Sequence, residues 1–215
     1  YRSGDLREAV STFDRAIDLA PDVSSYYLER ARAFWDFRTQ NGLSTGQSPG
    51  EDGQTEDERL VEQAYMLNVS WVEQRPLSLR ARLTLADSTM ELVRLNGDSR
   101  LEQQATQLYE EAVVLLPHSF ELRDYVAKIY IELGQPAAAF PHLEASMAVT
   151  GDILDRVTAQ RLKATAYRQL GQLDRSVETF DRIIQEFPGD SNAHYGRGAA
   201  YFELGRYQDA VADFD

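Results

Sequence analysis

A repeat of 34 residues limits the folds open to this chain more than any other feature of its sequence. The segment LGQLDRSVETFDRIIQEFP, which begins at Leu170, returns as LGRYQDAVADFD from Leu204. Three residue types recur at the same offset: Gly171 with Gly205, Val177 with Val211, and Phe180 with Phe214. A third copy, SGDLREAVSTFDRAIDLAP, begins at Ser3. A period of about 20 to 50 residues is typical of one supersecondary unit stacked many times, so the sequence predicts a repeat protein.

Each copy carries small, aromatic and turn-forming residues in a fixed order. Glycine tolerates the positive φ that ends a first helix, and a proline after the second helix prevents its continuation. Alanine lets paired helices approach closely, while an aromatic side chain fills the space beside them. This order resembles the tetratricopeptide repeat, in which Gly separates a first helix bearing a small residue and Tyr from a second helix bearing Ala, Phe and Ala. The resemblance implies an all-α fold, a right-handed superhelical solenoid of antiparallel helix hairpins.

Prolines divide the chain into about six predicted units of a single solenoid spanning residues 1–215. Pro21, Pro76, Pro117 and Pro188 close units, and Gly151 stands where a proline is missing. The predicted units are 1–21 (partial), 22–76, 77–117, 118–151, 152–188 and 189–215 (partial). Within the second unit, residues 40–55 read QNGLSTGQSPGEDGQT. This Gly- and Ser-rich stretch with almost no apolar residue predicts a mobile insertion between two helices.

The two ends of the sequence fall inside copies of the pattern. The chain begins at Tyr1 and stops at Asp215, which predicts a segment of a longer protein. Of its 22 basic residues only Lys128 and Lys163 are lysines, a bias that indicates a GC-rich bacterial genome. Terminal repeats usually carry a polar outer face, and neither end shows one. We therefore expect further repeats, another domain or a partner to cover both ends.

Charge and composition narrow the classes of partner. The chain has 22 Lys and Arg against 35 Asp and Glu, a formal charge of −13. Such a chain repels a phosphate backbone on average, so nucleic acid is not an expected partner. No run of about 18 apolar residues predicts a membrane span in this segment. Cysteine is absent, so either side of a membrane is compatible with the sequence.

No constellation in the sequence predicts catalysis, a metal site or a cofactor. The three histidines, His118, His142 and His194, lack the spacing of zinc ligands. Gly196 and Gly198 begin like a dinucleotide fingerprint, but the third glycine and the preceding strand are missing, which favours a helix with small residues. His194 stands where the resembled family often has Trp, which favours packing over ligation. The chain is therefore predicted not to be an enzyme.

The resemblance also implies where a partner would bind. In the family, the first helices of successive units line a concave face that commonly accepts a peptide or a partner helix. The predicted partner-binding residues on these helices are Asp124, Lys128, Arg161, Thr165, Arg168, Asn192, Tyr195 and Phe202. An ordinary solvated groove would carry a similar mixture, although aromatic residues such as Tyr195 and Phe202 often supply binding hot spots.

Three functions compete at this level. The leading hypothesis is a scaffold or adaptor that binds a peptide or partner protein through the concave face, since six repeats accompany no catalytic motif. The alternative is a soluble accessory domain of a larger bacterial membrane enzyme, such as a glycosyltransferase or an O-antigen ligase-like polymer ligase. A weaker possibility is a sensor that encloses a small ligand in its groove.

Overall fold

A computed structural model describes residues 12–13, 15–16, 19 and 56–215 of the chain. Nine helices have defined bounds between residues 56 and 215, and no residue of that range lies in a strand. The predicted all-α fold is confirmed. The predicted mobile insertion at 40–55 lies outside the described residues, as does most of the predicted unit 1–21. The described residues fall into two compact units, with the boundary between residues 115 and 116.

Three described helices belong to the first compact unit: α1 (Glu56–Gln74), α2 (Leu79–Asn96) and α3 (Ser99–Leu115). Helix α2 packs against both of the others. Val61 and Ala64 of α1 meet Leu92 of α2 in a small buried cluster. Asn68 is fully buried beside them and donates from Nδ2 to the Thr84 carbonyl at 3.0 Å. Asn68 also donates to the buried Ser88 hydroxyl at 3.1 Å. The α1–α2 contact is therefore apolar around a hydrogen-bonded polar pair, as buried amides require.

The second compact unit contains six helices, each packed against the next in the chain. They are α4 (Phe120–Glu132), α5 (Pro136–Val149), α6 (Ile153–Gln169), α7 (Leu173–Glu186), α8 (Ser191–Glu203) and α9 (Tyr207–Phe214). Helix α6 also contacts α4 and α8, so the first helices of successive pairs are neighbours. Pairs α2–α3, α4–α5, α6–α7 and α8–α9 fall inside the predicted ranges 77–117, 118–151, 152–188 and 189–215. Their membership of one solenoid over 1–215 stays a prediction.

Glycine ends the first helix of each pair in the second unit. Gly134, Gly171 and Gly205 have φ values of 71°, 71° and 75°, the left-handed region that glycine adopts without strain. At the first of these turns the Gln135 amide donates to the Tyr130 carbonyl at 2.8 Å and the Gly134 amide to the Ile131 carbonyl at 3.1 Å. This bonding pattern satisfies carbonyls that the helix end would leave exposed. The repeat pattern predicts these turns correctly.

Small residues allow the helices of the second unit to approach closely. Ala127 and Ala164 are fully buried at equivalent positions of α4 and α6. A Cβ added at Gly196 of α8 would lie 2.3 Å from the Phe180 ring of α7, far inside van der Waals contact. Gly196 and Gly198 therefore lie in a helix and allow close packing. This agrees with the prediction of a helix with small residues in place of a dinucleotide site.

Candidate functional site

The predicted partner-binding residues all lie on α4, α6 and α8, within the second compact unit. We call the surface that these three helices expose the first-helix surface. Helices α4 and α6 are in contact, and so are α6 and α8, so the residues share one region. Their environments divide that surface into three parts with different chemistry.

The α4 part contains one buried carboxyl group and one exposed cation. Asp124 is only 8% exposed, and its Oδ1 is buried without a hydrogen-bond partner. Burial raises the pKa of the Asp124 carboxyl; the nearby Ser146 hydroxyl opposes this, while the charges of Asp155 and Glu121 add to it. Lys128 projects to solvent and lies 3.6 Å from Glu132 on the same helix. Lys128 is accessible to a partner, whereas Asp124 belongs to the helix packing.

The α6 part consists of arginines already engaged with α8. Arg161 Nη1 lies 3.3 Å from Asp190 Oδ1, and Arg168 pairs with Glu203. Thr165 donates its hydroxyl to the Arg161 carbonyl of its own helix at 2.9 Å. These arginine side chains are 27% and 30% exposed. Both ion pairs join α6 to α8, so the arginines hold the two first helices together.

The α8 part is the open, aromatic portion. Tyr195 is 70% exposed and Phe202 is 60% exposed, and a separation of seven residues places them on one face of a helix. The Tyr195 ring lies 5.6 Å from that of Phe214, and Phe202 meets Tyr207 edge-on at 5.4 Å. Asn192 is exposed one turn before Tyr195. Of the eight predicted residues, these three and Lys128 of α4 are exposed, so they are the ones accessible to a partner.

Sequence reasoning missed three residues that shape this surface, Asp190, Glu203 and Tyr207, and it identified Phe214 only as a repeat position. Asp190 also caps α8, since its Oδ1 accepts from the Ala193 amide at 3.1 Å. A polar residue directly before an apolar periodic segment is a recognisable cap signal. Glu203 has no such signal, because its partner Arg168 lies 35 residues earlier in the chain.

Metal sites and membrane spans are two further features that a helical chain could carry. Within residues 56–215 and the few described before them, no three His, Cys, Asp or Glu side chains are grouped to hold a metal ion. Of the helices in that part of the chain, none combines the length and the apolar content that a membrane span requires.

Comparison with known proteins places the hairpins in a family. The sequence profile of the tetratricopeptide repeat matches residues 1–39, 127–191 and 161–215, which together make up more than half of the chain. This chain belongs to the tetratricopeptide repeat family. Members of the family bind proteins or peptides and are generally interaction scaffolds without enzymatic activity.

Individual tetratricopeptide repeat proteins show the same fold at low identity. A tetratricopeptide repeat protein from Parabacteroides merdae ATCC 43184 has a TM-score of 0.60 and 16% identity, covering 99% of this chain and 78% of that one. YrrB, described as a tetratricopeptide repeat protein with an unusual peptide-binding site, has a TM-score of 0.51 and 16% identity, covering 95% and 90%. In sequence, the chain is similar to photosystem I assembly protein Ycf3 of Prochlorococcus marinus subsp. pastoris, with 24% identity over 129 residues, 56% of this chain and 72% of that protein.

Proposed function

We propose that this chain is a protein-interaction scaffold that binds a peptide or partner protein through the first-helix surface and has no catalytic role of its own. The observation that carries the proposal is the pair of aromatic side chains on α8. Tyr195 and Phe202 leave well over half of their surface in water, although aromatic rings gain most from being buried. Large rigid rings of this kind are the usual anchors of protein interfaces.

The ion pairs on α6 have a structural role in this surface and leave partner binding to other residues. Because Arg161 is held by Asp190, the residue that caps α8, and Arg168 by Glu203 of α8, they fix the position of the helix that bears the aromatic residues. Asn192 offers amide donors and acceptors beside Tyr195, and Lys128 supplies a cation farther along the surface. A partner segment with an apolar stripe and polar edges would be complementary to this arrangement. Ycf3 is named for the assembly of photosystem I, and YrrB has a peptide-binding site; both are consistent with a scaffold.

The test is affinity capture with the Tyr195→Ala/Phe202→Ala double variant. We expect the partners retained by the wild-type chain to be lost, because truncating an interface anchor weakens binding by about tenfold or more. Met66→Ala is the control, since Met66 is 63% exposed on α1. Circular dichroism should show that both variants are folded. Unchanged capture by the folded double variant would exclude the aromatic part as the binding surface.

The alternative, an accessory domain of a larger bacterial membrane enzyme, would use the same surface toward another part of that enzyme. The full open reading frame decides between the two. A catalytic motif beside this segment would favour the alternative, and repeats alone would favour the scaffold.

A further inference from the structure

The last two helix pairs can be aligned residue by residue. Helices α6 and α8 end at Gln169 and Glu203, and α7 and α9 begin at Leu173 and Tyr207, an offset of 34 at both points. The same offset relates three polar positions of the two pairs, Gln160 with His194, Lys163 with Arg197, and Thr179 with Asp213. The equivalent side chains therefore occupy equivalent places between the helices.

In the α8–α9 pair, these positions form a closed polar network. The Asp213 carboxylate accepts from Arg197 Nε at 2.8 Å, from Arg197 Nη2 at 2.5 Å and from His194 Nδ1 at 3.1 Å. Arg197 Nη1 donates to Asp181 of the preceding α7 at 2.6 Å. The side chain of Asp213 is only 4% exposed. Cationic and imidazole donors thus converge on one buried carboxylate.

In the α6–α7 pair, the donors remain but the central carboxylate is missing. Thr179 stands where Asp213 stands in the next pair, while Gln160 and Lys163 keep hydrogen-bond donors at the positions of His194 and Arg197. Lys163 lies 3.5 Å from Glu144 of the preceding helix α5. This contact is equivalent to the one between Arg197 and Asp181 of the preceding helix α7. The Glu144 side chain is 65% exposed and that of Lys163 only 23%. The Lys163 ammonium group therefore pairs with a more solvent-exposed carboxylate than the Asp213 carboxylate that Arg197 contacts, and its ion pair is weaker.

A cleft opens at the place where the missing carboxylate would lie. It has a volume of about 320 Å³ between α5, α6 and α7. Its lining residues are Met147, Gln160, Lys163, Tyr167, Arg175, Glu178, Thr179 and Arg182. The lining carries three cations and one carboxylate, and that carboxylate, Glu178, is bonded to Arg182 at 2.5 Å on the exposed rim. A second carboxylate, Glu144, pairs with Lys163 from outside the lining, so three cations meet two carboxylates. In a chain with a formal charge of −13, this is a local excess of positive charge.

We propose that the cleft between α5, α6 and α7 binds a compact oxyanion, the phosphate or carboxylate group of a ligand, where Asp213 places its own carboxylate one helix pair later. Lys163 and the Gln160 amide supply the inner donors, and Arg175 supplies a second cation at the mouth. Paired cations and amide donors are the usual ligands of such groups. The site lies on a different face of α6 from Arg161 and Thr165, so it is separate from the first-helix surface.

The walls of the cleft favour a small anion over a ring-bearing one. Arg175 lies over the Tyr167 ring at 5.7 Å from its centroid, and the Phe140 ring packs against Tyr167 at 4.9 Å. Tyr167 is thus occupied by side chains of its own unit and offers no free face for stacking. The cleft therefore recognises the charged oxyanion group of a ligand and offers no aromatic surface to the rest of that ligand.

The test is a titration of the complete 215-residue chain with inorganic phosphate and with acetate, each against chloride at equal ionic strength, followed by NMR of the Lys163 and Thr179 amides. We expect saturable shifts with at least one of the two oxyanions and not with chloride. Tighter binding of phosphate would assign a phosphate-bearing ligand, and acetate equal to or tighter than phosphate would assign a carboxylate.

Three variants separate a site from general charge screening. Lys163→Met keeps the length of the side chain and should weaken binding at least tenfold, whereas Arg156→Gln removes an exposed charge from the same helix and should change it less than twofold. Thr179→Asp supplies the missing carboxylate from within the chain and should abolish binding while raising the melting temperature. No saturable binding of either oxyanion, equal losses in Lys163→Met and Arg156→Gln, or unchanged binding in Thr179→Asp would each overturn the proposal.

Discussion

The α6–α7 and α8–α9 pairs share one sequence pattern and differ in their polar interiors. Both have a left-handed glycine at the turn and a small residue on the first helix, but only α8–α9 has a carboxylate at its centre. Burial by itself would raise the pKa of Asp213, yet the hydrogen bonds from Arg197 and His194 lower it below its ordinary value. The repeat pattern thus sets the backbone, while one variable position decides whether the polar interior is closed or open to a ligand.

Asp213→Asn should have the largest effect, because it removes the charge on which the network converges. Breaking one partner of a buried ion pair destabilises proteins by about 3 kcal/mol, and Arg197 would keep one carboxylate partner, Asp181. Urea denaturation should show a loss of about 2 to 3 kcal/mol in the free energy of unfolding. The control is Asp209→Asn, which breaks the exposed Arg206–Asp209 pair and should change stability far less, because water screens an exposed pair. Equal losses would mean that the network contributes no more than a surface pair.

Replacing the turn glycines should affect the α6–α7 and α8–α9 pairs equally, because Gly171 and Gly205 have the same left-handed conformation. Alanine is strained at positive φ, so Gly171→Ala and Gly205→Ala should each cost about 1 kcal/mol of unfolding free energy. Gly189 lies between α7 and α8 without a positive φ and without atoms near an added Cβ. Gly189→Ala is therefore the matched control and should be neutral or slightly stabilising. A clear difference between the two turns would contradict their equivalence.

Thr179→Asp should make the first pair resemble the second. The new carboxylate would lie beside Lys163 and Gln160, and because the cleft is partly open to water the gain should be modest, up to about 1 kcal/mol. Thermal denaturation in buffer without phosphate is the measurement. Thr179→Asn introduces a similar shape without the charge and serves as its control. A lower melting temperature for Thr179→Asp than for Thr179→Asn would show that the equivalence with Asp213 does not hold.

His194 should give the last pair a pH dependence that the preceding pair lacks. Its Nδ1 faces the Asp213 carboxylate and its Nε2 faces the Pro188 carbonyl at 3.0 Å. Both neighbours accept hydrogen bonds, so both contacts are satisfied together only by the imidazolium form. The hydrogen bond to Asp213 and then that to Pro188 raise the pKa of His194 above its ordinary value of 6.5, against opposition from Arg197 and partial burial.

The sign of this effect follows from the raised pKa. The stabilising contribution is complete below the unfolded-state pKa and is lost as pH rises through the higher folded-state pKa. Unfolding free energies measured from pH 6 to pH 8 should fall more steeply for the wild-type chain than for His194→Gln, which places the Gln of the preceding pair at this position. Replacing the exposed His118 by Gln is the control. Identical slopes for wild type and His194→Gln would mean that the protonation of His194 does not contribute to the stability of the network.

The sequence alone predicted the parts of the fold that depend on neighbouring residues. The glycines that end first helices, Gly171 and Gly205, and the helices on either side of them follow from the 34-residue pattern. Turn chemistry and helical periodicity act within one or two turns of the chain, so a single sequence contains them. The same register placed all eight predicted partner-binding residues on first helices.

Tertiary structure decided what each of those side chains contacts. Arg161 and Arg168 proved to be bonded to α8, Asp124 is buried, and Tyr195 and Phe202 remain open to solvent. The partners of the two arginines lie 29 and 35 residues away in sequence, on a helix brought near by packing. Long side chains reach several neighbours, and which one they bind depends on the approach of the helices. For that reason the repeat pattern alone determined the hairpins. Only their packing decided which part of the first-helix surface is ion-paired and which is aromatic and open, and only packing formed the separate cleft.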